Sequence, residues 1–153
     1  MGKIYHIIVI TVLLLLFLSC GSTQQFGKIF TKAEADEQFG KVIFSAEIPQ
    51  EIVADVLNKT EKNIMFGIVN QNAIVLGDNR NLLYPAKAEF KDTDVFTVYS
   101  VSVLKELLSK GKSLNINVEQ RKEVLSVSKD DYILETGNLC PPICLQESKW
   151  KLH

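Results

Sequence analysis

The chain has 153 residues, 46% hydrophobic and 23% charged, with a formal net charge of −1, which is enough for one domain with a real core. That charge balance argues against nucleic acid or an anionic membrane surface as a partner, because both need clustered Lys and Arg. Its two histidines are His6 and the last residue, His153, so a body without histidine argues against Ser-His and Cys-His nucleophiles and most zinc sites, and no metal or other cofactor is expected.

The chain opens on an apolar run, Ile7 to Leu18, with Lys3 as the one charge ahead of it. A run of about a dozen residues has the length of a signal-peptide h-region, whereas a bilayer-spanning helix needs about twenty apolar residues. Residues 1–19 therefore read as a cleaved export signal, and losing Lys3 with them leaves a net charge of −2. The following residues, Phe17-Leu18-Ser19-Cys20-Gly21, resemble a bacterial lipobox. Ser19 matches at the cut site, while Phe17 and Leu18 stand where a leucine and a small residue are usual. The resemblance implies that Cys20 is acylated and becomes the mature N-terminus, with palmitate-type chains holding the protein to the membrane. Secretion with a free Cys20 and an uncleaved N-terminal anchor are the alternatives. Gly21 after the cysteine, in place of aspartate, resembles the pattern for an outer-membrane destination facing the periplasm. Residues 20–30 are read as a lipidated tether, 31–145 as the domain and 146–153 as a polar tail.

Thr31-Lys32-Ala33-Glu34 has capping-box spacing and Gly40 suits a helix end, so a helix is expected over 31–39. Val42, Phe44, Ala46 and Ile48 alternate with Lys41, Ile43, Ser45 and Glu47 as in a partly buried strand. Pro49 suits the first turn of a helix with Ile52, Val53, Val56 and Leu57 on one face. Asn63 to Val69, Ala73 to Gly77 and Asn81 to Tyr84 then form a meander through turns at Asn70-Gln71-Asn72 and Asp78-Asn79-Arg80.

The second half repeats this pattern. Val95 to Ser100 reads as a strand, and Val101, Leu104, Leu107 and Leu108 make the stripe of a helix ending at Gly111. Leu114, Ile116 and Val118 alternate as a strand, Glu119 to Lys122 turn, Val124 to Ser128 continue, and Lys129-Asp130-Asp131 turn into Tyr132 to Glu135. A slide of 50 residues superposes Ile74 on Val124 and Leu83 on Ile133, and a slide of 51 puts Val56 on Leu107. The expected fold is α+β, a single domain of two tandem β-α-β-β-β units, about 41–84 and 94–135, sharing a core because one helix and one meander cannot stand alone. In plan it is similar to small secreted inhibitors such as the β-lactamase inhibitor proteins, a likeness of architecture that does not fix function.

Among candidate chemical groups, Cys140 and Cys144 in Cys140-Pro141-Pro142-Ile143-Cys144 are read as a structural disulfide in an oxidising envelope, with a redox-active dithiol as the sharper alternative. Asp78, Asp92, Asp94 and Asp130-Asp131 are the acidic candidates for calcium or acid/base work, but tight turns favour aspartate on backbone grounds alone. Glu34-Asp36-Glu37 is read as a solvated helix face. Ser100 and Ser102 sit where a helix cap is wanted, with no histidine to activate them. Phe44, Phe66, Phe96, Tyr84, Tyr99 and Tyr132 are read as core or cross-strand pairs. Trp150 stands alone in the tail, either docked on the domain or available as a partner's anchor. The expected function is that of a membrane-anchored envelope lipoprotein acting as a non-catalytic binding module, with an envelope protein or polymer as partner. A hydrolase inhibitor, and a thiol-disulfide protein using Cys140 and Cys144, are the alternatives.

Overall fold

Thr31 begins the first helix as its sequence predicts: its hydroxyl accepts from the Glu34 N–H while the Glu34 carboxylate accepts from the Thr31 N–H at 2.8 Å, completing the capping box. This helix, α1 (Lys32–Phe39), ends at Gly40, whose φ of +79° suits glycine. The computed structural model describes residues 25–140. Strand β1 (Lys28–Thr31) runs into α1, so the sheet begins inside the stretch expected as tether, and Phe26 ahead of it is already buried. Four residues are too few to announce a strand by alternation; pairing with a distant strand makes it.

Strand β2 (Phe44–Pro49) starts later than expected, leaving Val42 outside it and Ile43 70% exposed. Pro49 closes the strand and opens α2 (Gln50–Leu57), which buries Val53, Val56 and Leu57. The meander follows as β3 (Asn63–Val69), β4 (Asn72–Leu76) and β5 (Leu82–Tyr84). Asn70 and Gln71 both take positive φ, the requirement of a two-residue hairpin that keeps the strand twist. Strand β6 (Phe96–Ser100) leads straight into α3 (Val101–Ser109), which buries Val101, Val103, Leu104 and Leu107. Then come β7 (Asn115–Gln120), β8 (Leu125–Lys129), β9 (Tyr132–Glu135) and β10 (Asn138–Cys140). Leu114, expected inside β7, lies just before it and is 79% exposed.

Among the described residues the fold is mixed α+β: three α-helices and two five-stranded antiparallel sheets, mostly strand. One sheet runs β1-β9-β8-β7-β2 and the other β10-β6-β3-β4-β5. The chain does not finish one sheet before starting the next. Strand β2 pairs with β7 (Ala46 opposite Val118), and β6 pairs with β3 (Met65 opposite Val98). Each core helix therefore carries the chain from one sheet to the other. The inner faces meet in one core: Ile48, Ile116, Val118, Val127 and Leu134 face Ile64, Phe66, Val75 and Tyr99, with α2 and α3 filling the rest. Burial of this apolar surface supplies the main stabilising term, about 25 cal/mol per Å² removed from water.

The outer faces differ. Beyond the second sheet lies a smaller apolar cluster of Met65, Ile74, Leu76, Phe96, Val98 and Cys140, with Ala88 and Phe90 of the long 85–95 connection packed on it. Gly67 belongs there because the Phe96 ring lies against it; a Cβ would stand 2.6 Å from a ring carbon. Beyond the first sheet, α1 packs Ala35 and Phe39 against Phe30 and Ile133. The rest of that face is polar. Among the described residues, no helix is long and apolar enough to cross a membrane.

Candidate functional site

The largest fully buried side chain is Arg121, a residue expected in a simple turn. It follows β7 directly, and its backbone N–H bonds to the Val124 carbonyl at 2.9 Å, which closes the β7–β8 corner and turns the side chain under α1. The guanidinium donates through Nη1 to Asp36 at 2.7 Å and to the Gly40 carbonyl, through Nη2 to Glu119 at 3.3 Å, and through Nε to Ser126 at 3.0 Å. Glu135 lies 4.0 Å from Nε and accepts from the Ser126 hydroxyl, while Ser128 donates to Glu119. Register explains the assembly: Ser45, Glu119 and Ser126 stand opposite one another across β2, β7 and β8, and Lys28 stands opposite Glu135. Asp36, expected on a solvated face, is instead the partner that ties α1 down.

One guanidinium thus meets three carboxylates. Burial pushes the Glu135 carboxyl above the usual carboxylate range, and the Glu119 charge adds to it. Hydrogen bonds from Ser126 and the Thr136 N–H, with the Arg121 charge, only partly oppose this. Across the sheet the buried Tyr99 hydroxyl donates to the Leu125 carbonyl at 2.7 Å, and burial raises its pKa well above the ordinary phenol value, with Glu135 adding to the rise. Since Arg121 is enclosed and each of its three nitrogens donates to protein atoms, the cluster acts as an ionic clasp between α1 and the first sheet.

The expected turn aspartates hold loops. Burial works to raise the Asp78 carboxyl, but N–H groups of Glu61, Lys62 and Asn63 and the Thr60 hydroxyl outweigh it and hold it below its usual value. Asp130 accepts from the Lys112 N–H at 2.6 Å and the Ser113 N–H at 3.0 Å, and these bonds lower its carboxyl too. Asp94 accepts from the Lys91 N–H at 2.7 Å in the same manner, and Asp92 lies exposed in the adjoining turn. Among the described residues no group of acidic, histidine or cysteine side chains has the arrangement to hold a metal ion. Lys129, buried beside these turns, donates to the Leu108 carbonyl near the end of α3.

Ser100 stands at the N-cap of α3 but makes no cap bond. Its hydroxyl accepts from the Phe26 N–H at 2.7 Å, a clasp on the incoming chain that sequence reasoning assigned to the helix instead. Ser102 takes a bond from the Gln25 amide at 3.3 Å. Of the expected core aromatics, Phe66, Phe96 and Tyr99 are buried, while Tyr132 is exposed with Lys110 over its ring. Cys20, Cys144 and Trp150 lie outside the described residues; Cys140 is buried and disulfide-bonded.

Among the described residues an open cleft lies between the sheets. Beside β2, an edge strand with one unpaired side, a cleft of 140 Å³ is lined by Ala46, Glu47, Gln71, Asn72, Ala73, Tyr84 and Pro85. That is below the roughly 300 Å³ at which small-molecule sites begin, and suits a side chain or sugar edge of a larger partner better than a whole metabolite. The chain matches no protein-family model, no curated protein and no solved structure.

Proposed function

We propose that the protein is a bacterial envelope lipoprotein, acylated at Cys20, whose domain works by binding an envelope protein or polymer and not by catalysis. The observation that carries this reading is the short stretch of sequence between the lipobox-like cysteine and a residue buried in the domain. Phe26 is buried and clasped by Ser100, only six positions after Cys20. At about 3.3–3.6 Å per extended residue, Cys20 stands within about 22 Å of the domain. A domain held that closely meets what is fixed near the same membrane. Two acyl chains make such anchoring stable, since one is marginal.

Within the domain, we read the stretches of about 41–84 and 94–135 as two β-α-β-β-β units of one plan, each lending its first strand to the other's sheet. The matching corners held by Asp78 and Asp130 support this. Neither unit completes a sheet alone, so the shared core follows. The cleft beside β2 offers the partner polar groups, Glu47, Gln71 and Asn72, next to Tyr84. Metabolic labelling with an alkyne fatty acid tests the anchor. Wild type takes the label and sediments with membranes, and Cys20→Ala does neither; equal labelling of the two removes the proposal. Crosslinking in whole cells from a photoreactive residue at Gln71 tests the binding face, with a discrete adduct expected and none from Glu106 on α3.

A further inference from the structure

Arg80 has an unusual set of partners for a cation. Its Nη1 lies 3.5 Å from the Cys140 carbonyl oxygen and 3.3 Å from Cys140 Sγ, and its Nη2 lies 3.4 Å from the carbonyl oxygens of Lys91 and Asp94. The guanidinium carbon stands 5.0 Å from the Phe96 ring centre and 5.7 Å from that of Phe90. Among the described residues none of its partners is a carboxylate. The 85–95 connection and the end of β10 thus fix a positive charge against one sulfur.

That sulfur is buried among Met65, Ile74, Leu76, Phe96 and Val98, and it is disulfide-bonded. A disulfide sulfur carries no charge and gains little from a guanidinium. A thiolate gains a charge-assisted hydrogen bond. Apolar burial alone raises a thiol's pKa, so a cation at hydrogen-bond distance is what makes a buried thiolate tolerable.

We propose that Cys140 is the leaving-group sulfur of a reducible disulfide, with Arg80 holding the thiolate that forms when the bond opens. The reductant is of the dithiol class. Its thiolate attacks the sulfur of the cysteine joined to Cys140; that S–S bond breaks and its electron pair departs on Cys140 Sγ, against Arg80. The reductant's second thiol loses its proton to water and, as thiolate, attacks the reductant's own sulfur in the mixed disulfide. The freed cysteine takes up a proton, and the reductant leaves as a disulfide, having given two electrons. Lower leaving-group pKa speeds the first step and favours the reduced form.

The test uses the Cys20→Ser/Cys144→Ser chain, in which Cys140 is the only cysteine left, titrated by thiolate absorbance at 240 nm. The expected midpoint lies a unit or more below the ordinary thiol value of about 8.5. Adding Arg80→Gln moves it up by a similar amount, and Arg80→Lys keeps part of the depression. A midpoint at or above 8.5, as burial alone dictates, or one unmoved by Arg80→Gln, overturns the proposal. The otherwise intact chain gives a second reading in glutathione buffers. There Arg80→Gln makes the Cys140 bond several-fold harder to reduce, and an unchanged equilibrium leaves only a structural bridge.

Discussion

Asp78 and Asp130 hold matching corners: each carboxylate accepts two consecutive backbone N–H groups from the loop that leaves a core helix, Glu61 and Lys62 after α2, Lys112 and Ser113 after α3. A hydroxyl completes each corner, Thr60 bonding the Asn63 carbonyl at 2.6 Å and Ser113 the Asn115 carbonyl at 3.1 Å. At the second corner the carboxylate lies over Gly111, where φ is +68° and a Cβ would stand 2.1 Å from a carboxylate oxygen. Loop, turn aspartate and following strand thus form one mechanical joint, made twice.

Removing the joint weakens the fold in a pH-dependent way. Both carboxyls have folded pKa values below their unfolded ones, so their contribution is present above the unfolded value of about 3.9 and is lost as pH falls through the folded one. Asp78→Ala is expected to cost about 1–2 kcal/mol at pH 7, discounted from the loss of four hydrogen bonds because the group is partly solvated. Asp130→Ala costs less, being fully exposed. Urea denaturation at pH 7 and pH 3 checks both; a gap between Asp78→Ala and wild type that is as wide at pH 3 as at pH 7 contradicts the assignment.

Breaking the Arg121 clasp should be among the most damaging single changes. Arg121→Ala strands Glu119 and Glu135 beneath α1 and leaves Asp36 on the helix without its partner, and removing one partner of a buried ion cluster costs about 3–5 kcal/mol. Arg121→Met with Glu135→Gln fills the space and removes a charge, so the double variant recovers part of that loss. If chemical denaturation finds Arg121→Ala within 1 kcal/mol of wild type, the clasp is not holding α1.

Glu135 offers the opposite pH sign. Its folded pKa is raised, so its contribution is full below the unfolded value and lost as pH rises through the folded one. Glu135→Gln is therefore expected to be more stable than wild type at pH 8, with the advantage shrinking toward pH 4. Thermal melts across that range decide it, and a variant weaker than wild type at every pH means the Arg121 attraction outweighs burial.

What the sequence revealed and what it hid divide along physical lines. The capping box at Thr31 and Glu34, the apolar stripes of Val53, Val56 and Leu57 and of Leu104 and Leu107, and the Asn70-Gln71 hairpin are local signals, and each element stands where they point. Strands β1 and β10 are three or four residues long and exist by pairing with β9 and β6, so no local pattern marks them. The exchange of β2 and β6 between sheets is likewise a long-range choice. Arg121 sat in a polar run, and its five side-chain and carbonyl partners come from positions 36, 40, 119, 126 and 135. The one available hint was Ser126 and Ser128 alternating with Leu125 and Val127, polar positions that the structure buries instead of exposing.

The Phe26 clasp sets how firmly the chain entering the domain is held. Ser100→Ala leaves the buried Phe26 N–H without its acceptor, which costs about 1–3 kcal/mol of local stability, while α3 loses no cap because Ser100 makes none. Amide hydrogen exchange separates the two roles. Loss of the clasp speeds exchange at Phe26 and along β1 and leaves Val103 and Leu104 protected, whereas a capping role would free the first turn of α3 and leave β1 unchanged. On the proposed acylation at Cys20 the freed segment would also lengthen the tether, so crosslinking from Gln71 to the proposed membrane-fixed partner should broaden to several adducts in Ser100→Ala; a single unchanged adduct places the effective tether entirely ahead of Phe26.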